Sequence, residues 1–305
     1  MKPDDSTLSQ HDLLAIERRA AHLLDRADAW DRYPVPIDDL LAAANVKVAA
    51  HNLFNPASVL AYLKGKAEEA ASNIKSAVSK ILGIYDAGEN LIHIDQSVVE
   101  SKQTFLKLHE TGHHDIPTHK KLFRFFQDCE KTLAPEIADQ FEREANNFAR
   151  FALFKGDAFM THAADHAFEI KTPIKLAKKF GASIYASTRE FARTNPRACV
   201  VYILEPVKFV EGDGTHAEVR RIEPSSKFLS QFGLPQDTVI TLDHPLGHVL
   251  PIGRKMTRPT TLSIKDKNGV AHECIAEAFD TTYNVLILLY PVKALTGTTV
   301  FLSTV

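Results

Sequence analysis

Five residues, His109-Glu110-Thr111-Gly112-His113, constrain this chain more than any others. Two histidines four positions apart project from one side of an α-helix, about 40° apart around its axis and one turn along it. Held that way, both imidazoles can bind a single ion. The pattern therefore predicts a helix over this stretch. Glu110 stands beside the first histidine, within reach of a water polarised by such an ion. Zinc lowers the pKa of that water to about 7, and a neighbouring carboxylate takes its proton as it attacks a carbonyl. Glu110 is the candidate general base. Gly112 lets another backbone or a substrate approach the helix closely. Phe105, Leu106 and Leu108 supply the apolar residues that would bury it.

A catalytic zinc needs a third protein ligand and an open fourth position. Downstream lies Glu142-Arg-Glu-Ala-Asn146-Asn-Phe-Ala149, 142 − 113 = 29 positions beyond His113, which leaves room for a turn and a returning helix. Glu142 and Asn146 are four apart and share a face. Glu142 is assigned as the third ligand, and Asn146 as the residue that orients a ligand histidine through its second ring nitrogen. Glu144 competes with Glu142; its other reading is a surface ion pair. Cys129 falls between the second and third ligands. Its thiolate could occupy the open position and hold the site inactive, or it is a buried structural thiol. His114 and His119 read as surface residues, with oxyanion or substrate contact the alternative. His162 and His166 have the same spacing without the glutamate and read as an exposed helix face. His244 and His248 enclose Pro245 and Gly247, which rules against a regular helical pair.

The rest of the chain organises around this motif. Helices are predicted from Gln10 to about Asp28, from Ile37 to Ala43, from Ala57 to Leu82, and from Pro135 to about Phe154, with a short strand at Val46 to Ala50. Gly83 to Tyr85 and Leu91 to Ile94 flank a polar turn and read as a hairpin. The helix carrying the histidines starts near Ser101 and ends at Pro117. Pro173 to Phe180, Gly181-Ala182-Ser183 and Ile184 to Arg193 read as a helix-turn-helix. Beyond Cys199 come short apolar runs separated by Gly, Pro and Asp, at residues 200–204, 239–242, 261–264, 285–289 and 300–302. The expected class is α+β: a mainly helical domain with a small sheet over residues 1–160, a helix-turn-helix segment over 161–197, and a mainly β domain over 198–305.

Composition narrows the function classes. A formal net charge of −2 carries no global basic field for nucleic acid. Locally, Lys171, Lys175, Lys178, Lys179, Arg189 and Arg193 make the helix-turn-helix basic, so phosphate contact and a solvated basic face both remain open. Cys129, Cys199 and Cys274 are few and far apart, which fits a reducing compartment rather than a disulfide framework. The N-terminal residues resemble no signal peptide, no stretch reads as a membrane span, and the cytoplasm is the expected location.

Taken together, Pro34-Val-Pro-Ile-Asp-Asp-Leu-Leu41, the hairpin ending Leu91-Ile-His-Ile-Asp95, Phe105-Leu-Lys-Leu-His-Glu-Thr-Gly-His113 and Glu142-Arg-Glu-Ala-Asn-Asn-Phe-Ala149 resemble the ImmA/IrrE family of metallopeptidases over roughly residues 10–195. The resemblance implies a minimal gluzincin-like domain followed by a helix-turn-helix, with His109, His113 and Glu142 as metal ligands and Glu110 as general base. It implies Zn2+, with Mn2+ as an alternative, and a metalloendopeptidase that cleaves a helix-turn-helix repressor, so derepressing stress, DNA-damage or phage-defence genes. It also implies a C-terminal sensor-like domain comparable to GAF domains, open to a DNA-derived or small-molecule signal. The chain departs from the family pattern at Thr111, at His114, and in Arg150-Phe-Ala-Leu-Phe154, where a Leu-Leu-Met-Pro ending is usual. Zinc peptidases of this architecture bind substrate along an edge strand beside the motif helix, and Leu91 to Ile94 is the candidate. The alternative reading is a DNA-binding or ligand-sensing regulator with a vestigial peptidase site.

Overall fold

In the computed structural model, residues 7–49, 83–86, 90–120, 135–210 and 214–293 are described. The predicted helix at Ala57 to Leu82, the residue Cys129 and the predicted strand at 300–302 lie outside them. The chain gathers into two compact units: residues 1–159 with 178–183, and residues 160–177 with 184–305. Residues 161–197 therefore divide between the two. No helix among the described residues is long and apolar enough to cross a membrane.

In the first unit, α1 (Gln10–Arg26) starts at Ser9, whose Oγ accepts from the Asp12 amide at 3.2 Å. Its apolar stripe of Ile16, Ala20, Leu23 and Leu24 is buried. Helix α2 (Ile37–Ala44) follows Pro36 and stops at Asn45, which adopts the left-handed conformation that asparagine tolerates well. A three-stranded sheet comes next, made of β1 (Lys47–Val48), β2 (Gly83–Asp86) and β3 (Leu91–Ile94), in the order β1-β3-β2. β2 and β3 form the expected antiparallel hairpin, while β1 runs parallel to β3.

That order corrects one expectation. Leu91–Ile94 is the central strand, not an edge, because β1 takes the side of it that the hairpin leaves open. Ala49 extends the pairing by donating to the Ile92 carbonyl at 2.8 Å. On that side Leu91 and Ile92 are already paired, so this half of β3 is closed to an incoming peptide.

Helix α3 (Glu100–Asp115) carries the histidine motif, and α4 (Pro135–Phe154) packs against it. α3 ends where expected; residues 117–120 then start a new helical turn at Pro117, a favoured first helical position. Arg19 and Arg26 of α1 hold the end of α3. Arg19 donates to the Asp115 carbonyl at 2.8 Å, and both guanidiniums pair with the Asp115 carboxylate at 3.3 Å. Cations there complement the negative end of the helix. Lys155, just past α4, is buried and donates its ammonium hydrogens to the carbonyls of Ala29, Trp30 and Arg32. That ties the α1–α2 connection to α4.

The second unit is built on one antiparallel sheet ordered β5-β6-β4-β10-β9-β8, with β7 also paired to β6. Its strands are β4 (Val200–Leu204), β5 (Lys208–Val210), β6 (Gly214–Pro224), β7 (Val239–Thr241), β8 (Thr260–Lys265), β9 (Ala271–Asp280) and β10 (Val285–Pro291). β4 and the Val285 to Leu289 run of β10 are buried on both faces, as their unbroken apolar composition requires. β5, β6 and β9 were not expected. β6 and β9 intersperse charged residues among apolar ones, because part of each strand faces solvent. The remaining helices are α5 (Ala158–Ala164), α6 (Lys171–Phe180), α7 (Ile184–Arg193) and α8 (Ser226–Phe232). The α+β class therefore stands, with helices preceding a mainly antiparallel sheet.

Helix α7 differs from the basic recognition helix that its composition allows. Arg189 and Arg193 are turned inward onto Glu223 of β6: Arg189 Nε lies 2.9 Å, and Arg193 Nη2 3.1 Å, from Glu223 Oε2. Burial would raise the Glu223 pKa, but the two guanidiniums outweigh it and hold the carboxyl below its usual range. Neither arginine is then available to a phosphate. Removing the carboxylate leaves two largely buried cations facing each other. Glu223→Ala is expected to destabilise the second unit by about 3 kcal/mol in urea unfolding, whereas a loss below about 1 kcal/mol, the range of exposed pairs, would contradict this role.

Candidate metal centre

Close packing of α3 on α4 builds the site. A Cβ added at Gly112 would lie 3.2 Å from the Phe148 side chain, closer than most side chains tolerate. The glycine thus admits α4 itself, rather than a substrate. With the helices this close, Glu142 of α4 reaches both motif histidines. Its Oε2 lies 3.3 Å from His109 Nε2 and its Oε1 3.5 Å from His113 Nε2. The two Nε2 atoms are 3.2 Å apart. All three ligand atoms fall within 4.8 Å of one another, a group that could hold a metal ion.

The far side of each imidazole is also occupied. His109 Nδ1 lies 3.1 Å from Asn146 Oδ1, the contact expected of Asn146. An amide oxygen only accepts, so His109 donates from Nδ1 and keeps a lone pair on Nε2. His113 reaches a longer chain. Its Nδ1 is 3.1 Å from His119 Nδ1, and His119 Nε2 is 2.8 Å from Glu144 Oε2. The Glu144 carboxylate accepts from His119 Nε2–H, which leaves His119 Nδ1 as an acceptor for His113 Nδ1–H. His113 Nε2 then also carries its lone pair inward. Two lone pairs and a carboxylate converge with no hydrogen of their own between them, an arrangement that suits a cation.

Two expectations are corrected here. His119 and His114 are buried, not at the surface. His119 stacks on Phe141 with ring centroids 3.8 Å apart, and His114 Nδ1 lies 2.6 Å from the Tyr85 hydroxyl. Glu144 takes neither of its expected places, as third ligand or as surface pair; it anchors His119, while Gln140 donates to its other oxygen at 2.7 Å. The hint available in the sequence is Pro117, which turns the chain so that His119 can fold back under His113. The other histidine pairs form no cluster. His166 lies exposed beyond the end of α5, and His244 is taken up by Asp237 and the Leu246 amide. Cys199 and Cys274 are buried thiols, pushed up to about 12 and about 11 by burial.

The electrostatics follow the geometry. Burial pushes His113 down to about 4, so its ring is neutral at physiological pH. For His109 burial acts the same way, but Glu142 and Glu110 outweigh it and raise the pKa above its ordinary value. Burial would raise Glu142, but the two imidazoles hold it well below the carboxylate range. Glu110, 5% exposed, is pushed up to about 7 by burial, with Glu142 adding to the effect and His109 opposing it. A carboxylate poised near neutrality beside a cation site is suited to proton transfer.

No family model matches the chain, and no curated protein matches it in sequence. In three dimensions it is similar to the solved structure of a Mycobacterium tuberculosis transcriptional regulator, with a TM-score of 0.51 and 11% identity over 92% of this chain and 76% of that one. At that identity the likeness speaks for the fold alone.

If the hydrogen-bond chains orient the ligands, breaking them weakens the site without touching a ligand atom. Glu144→Ala and Asn146→Ala are each expected to lower Zn2+ affinity about 10- to 100-fold in a competition titration with a chromophoric chelator. Wild-type affinity in both variants would show that the chains orient nothing.

Proposed function

We propose that this protein is a zinc-dependent endopeptidase that cleaves a partner transcriptional repressor. The observation that carries the reading is the convergence of His109 Nε2, His113 Nε2 and the Glu142 carboxylate beside a buried Glu110. Two nitrogens and one oxygen on a helix pair form the donor set of a catalytic zinc site rather than a closed structural one, which uses four protein ligands. The same donors accept Mn2+, but imidazole favours zinc. Bound to His109, His113 and Glu142, zinc supplies Lewis acidity toward a water and the scissile carbonyl. Glu110 accepts the proton of the attacking water on its carboxylate and delivers it to the departing amine nitrogen. Asn146 and His119 hold the two ligand rings still through the cycle.

A repressor as substrate rests on the resemblance to ImmA/IrrE peptidases, and the structural neighbour named as a transcriptional regulator is consistent with a regulatory setting. That neighbour also favours a second reading, a DNA-binding regulator whose peptidase site is vestigial. Against it, the Glu110 carboxylate is retained and buried at the ligand cluster. The two arginines that would equip α7 for phosphate are paired internally with Glu223.

The test is co-expression with the helix-turn-helix repressor encoded beside its gene. The wild-type chain is expected to cut the repressor, and Glu110→Ala to slow cleavage at least a hundredfold while still binding zinc. An intact repressor in both cases, with specific DNA binding by the chain, would favour the regulator.

A further inference from the structure

The second unit holds a cleft whose chemistry the peptidase reading leaves unused. It encloses about 110 Å³, room for roughly four water-sized groups. Arg197, Lys227 and Lys293 line it together with Gln231, Phe168 and Tyr290, and no carboxylate is on its wall. Three cations from separate parts of the sequence thus converge on one small space, and none of the three makes an ion pair among the described residues. The three cations are exposed at the rim of the cleft, and like charges gathered around one concave surface raise a local positive potential.

The cleft is also held in place. The Ser225 hydroxyl donates to the Arg197 carbonyl at 2.8 Å and accepts from the Cys199 amide at 3.1 Å. That fixes the loop bearing Arg197 against the start of α8, which carries Lys227 and Gln231. The Arg197 guanidinium lies over the Phe168 ring, 5.4 Å from its centroid, and Phe168 meets Tyr290 edge-on at 4.7 Å. The Tyr290 hydroxyl donates to Glu277 at 2.9 Å and is therefore already used. The Val292 amide donates to the Glu273 carbonyl at 2.9 Å, which anchors the strand end that presents Lys293. Backbone contacts thus fix the segments that carry the three cations, and the Phe168 ring seats the Arg197 guanidinium, without any anion present.

We infer that this cleft binds a small, multiply charged oxyanion, a phosphate ester or a di- or tricarboxylate, with Arg197, Lys227 and Lys293 neutralising its charge. The inference does not depend on the peptidase reading, since no ligand of the metal cluster lines the cleft.

The test is isothermal titration of the full chain in metal-free buffer at low ionic strength, with pyrophosphate in one arm and citrate in the other. One saturable site is expected, with the tighter of the two anions identifying phosphate or carboxylate as its chemistry. Lys227→Glu and Arg197→Glu are each expected to weaken binding at least tenfold. Lys208→Glu, at the far edge of the same sheet, is expected to leave it unchanged. Lys293→Glu replaces any variant that fails to fold. No saturable binding of either anion, or equal loss in the Lys208 control, overturns the inference.

Discussion

The contact on which the candidate site depends is the one between Gly112 and Phe148. A Cβ at residue 112 would press on the Phe148 side chain at 3.2 Å, so the helix that carries Glu142 could not pack as closely without Phe148 giving way. The spacing of His109 and His113 is a property of any helix. Their closure into a three-atom cluster is a property of this helix pair. The grip of Arg19 and Arg26 on Asp115 holds the end of the same helix. Stability at this point of the first unit and chemistry at the site therefore rest on the same packing.

Around that cluster, hydrogen bonds of fixed polarity do the orienting. An amide oxygen behind His109, and a second imidazole with a carboxylate behind His113, each leave one lone pair directed inward. Without a cation, inward lone pairs 3.2 Å apart oppose each other. With one, they become ligands, and the surrounding burial that pushes Glu110 up to about 7 makes the same pocket a place for proton transfer. The arrangement costs stability locally, as functional sites commonly do.

Much of this was legible in the sequence where a short period governs. The i, i+4 spacing gave the histidine pair, and the same spacing linked Glu142 to Asn146. The end of the motif helix followed from Pro117. What stayed hidden depends on contacts between remote segments. His119 could not be placed beneath His113 without knowing that residues 117–120 turn back and that Phe141 offers a ring to stack on. Arg189 and Arg193 looked like solvent-facing cations because a charge does not announce its partner, and Glu223 lies 30 and more residues away. Leu91–Ile94 looked like an edge because parallel pairing with Lys47–Val48 leaves no local trace. β6 and β9 escaped notice because charged residues break up their apolar runs.

The central claim is that His109, His113 and Glu142 hold one metal ion. X-ray absorption at the zinc edge, on the chain carrying one equivalent of zinc, tests it most directly. Two imidazole nitrogens and carboxylate oxygen are expected at about 2.0–2.2 Å, with the carboxylate contribution lost in Glu142→Ala. A sulfur shell near 2.3 Å, or a spectrum that Glu142→Ala leaves unchanged, would contradict it.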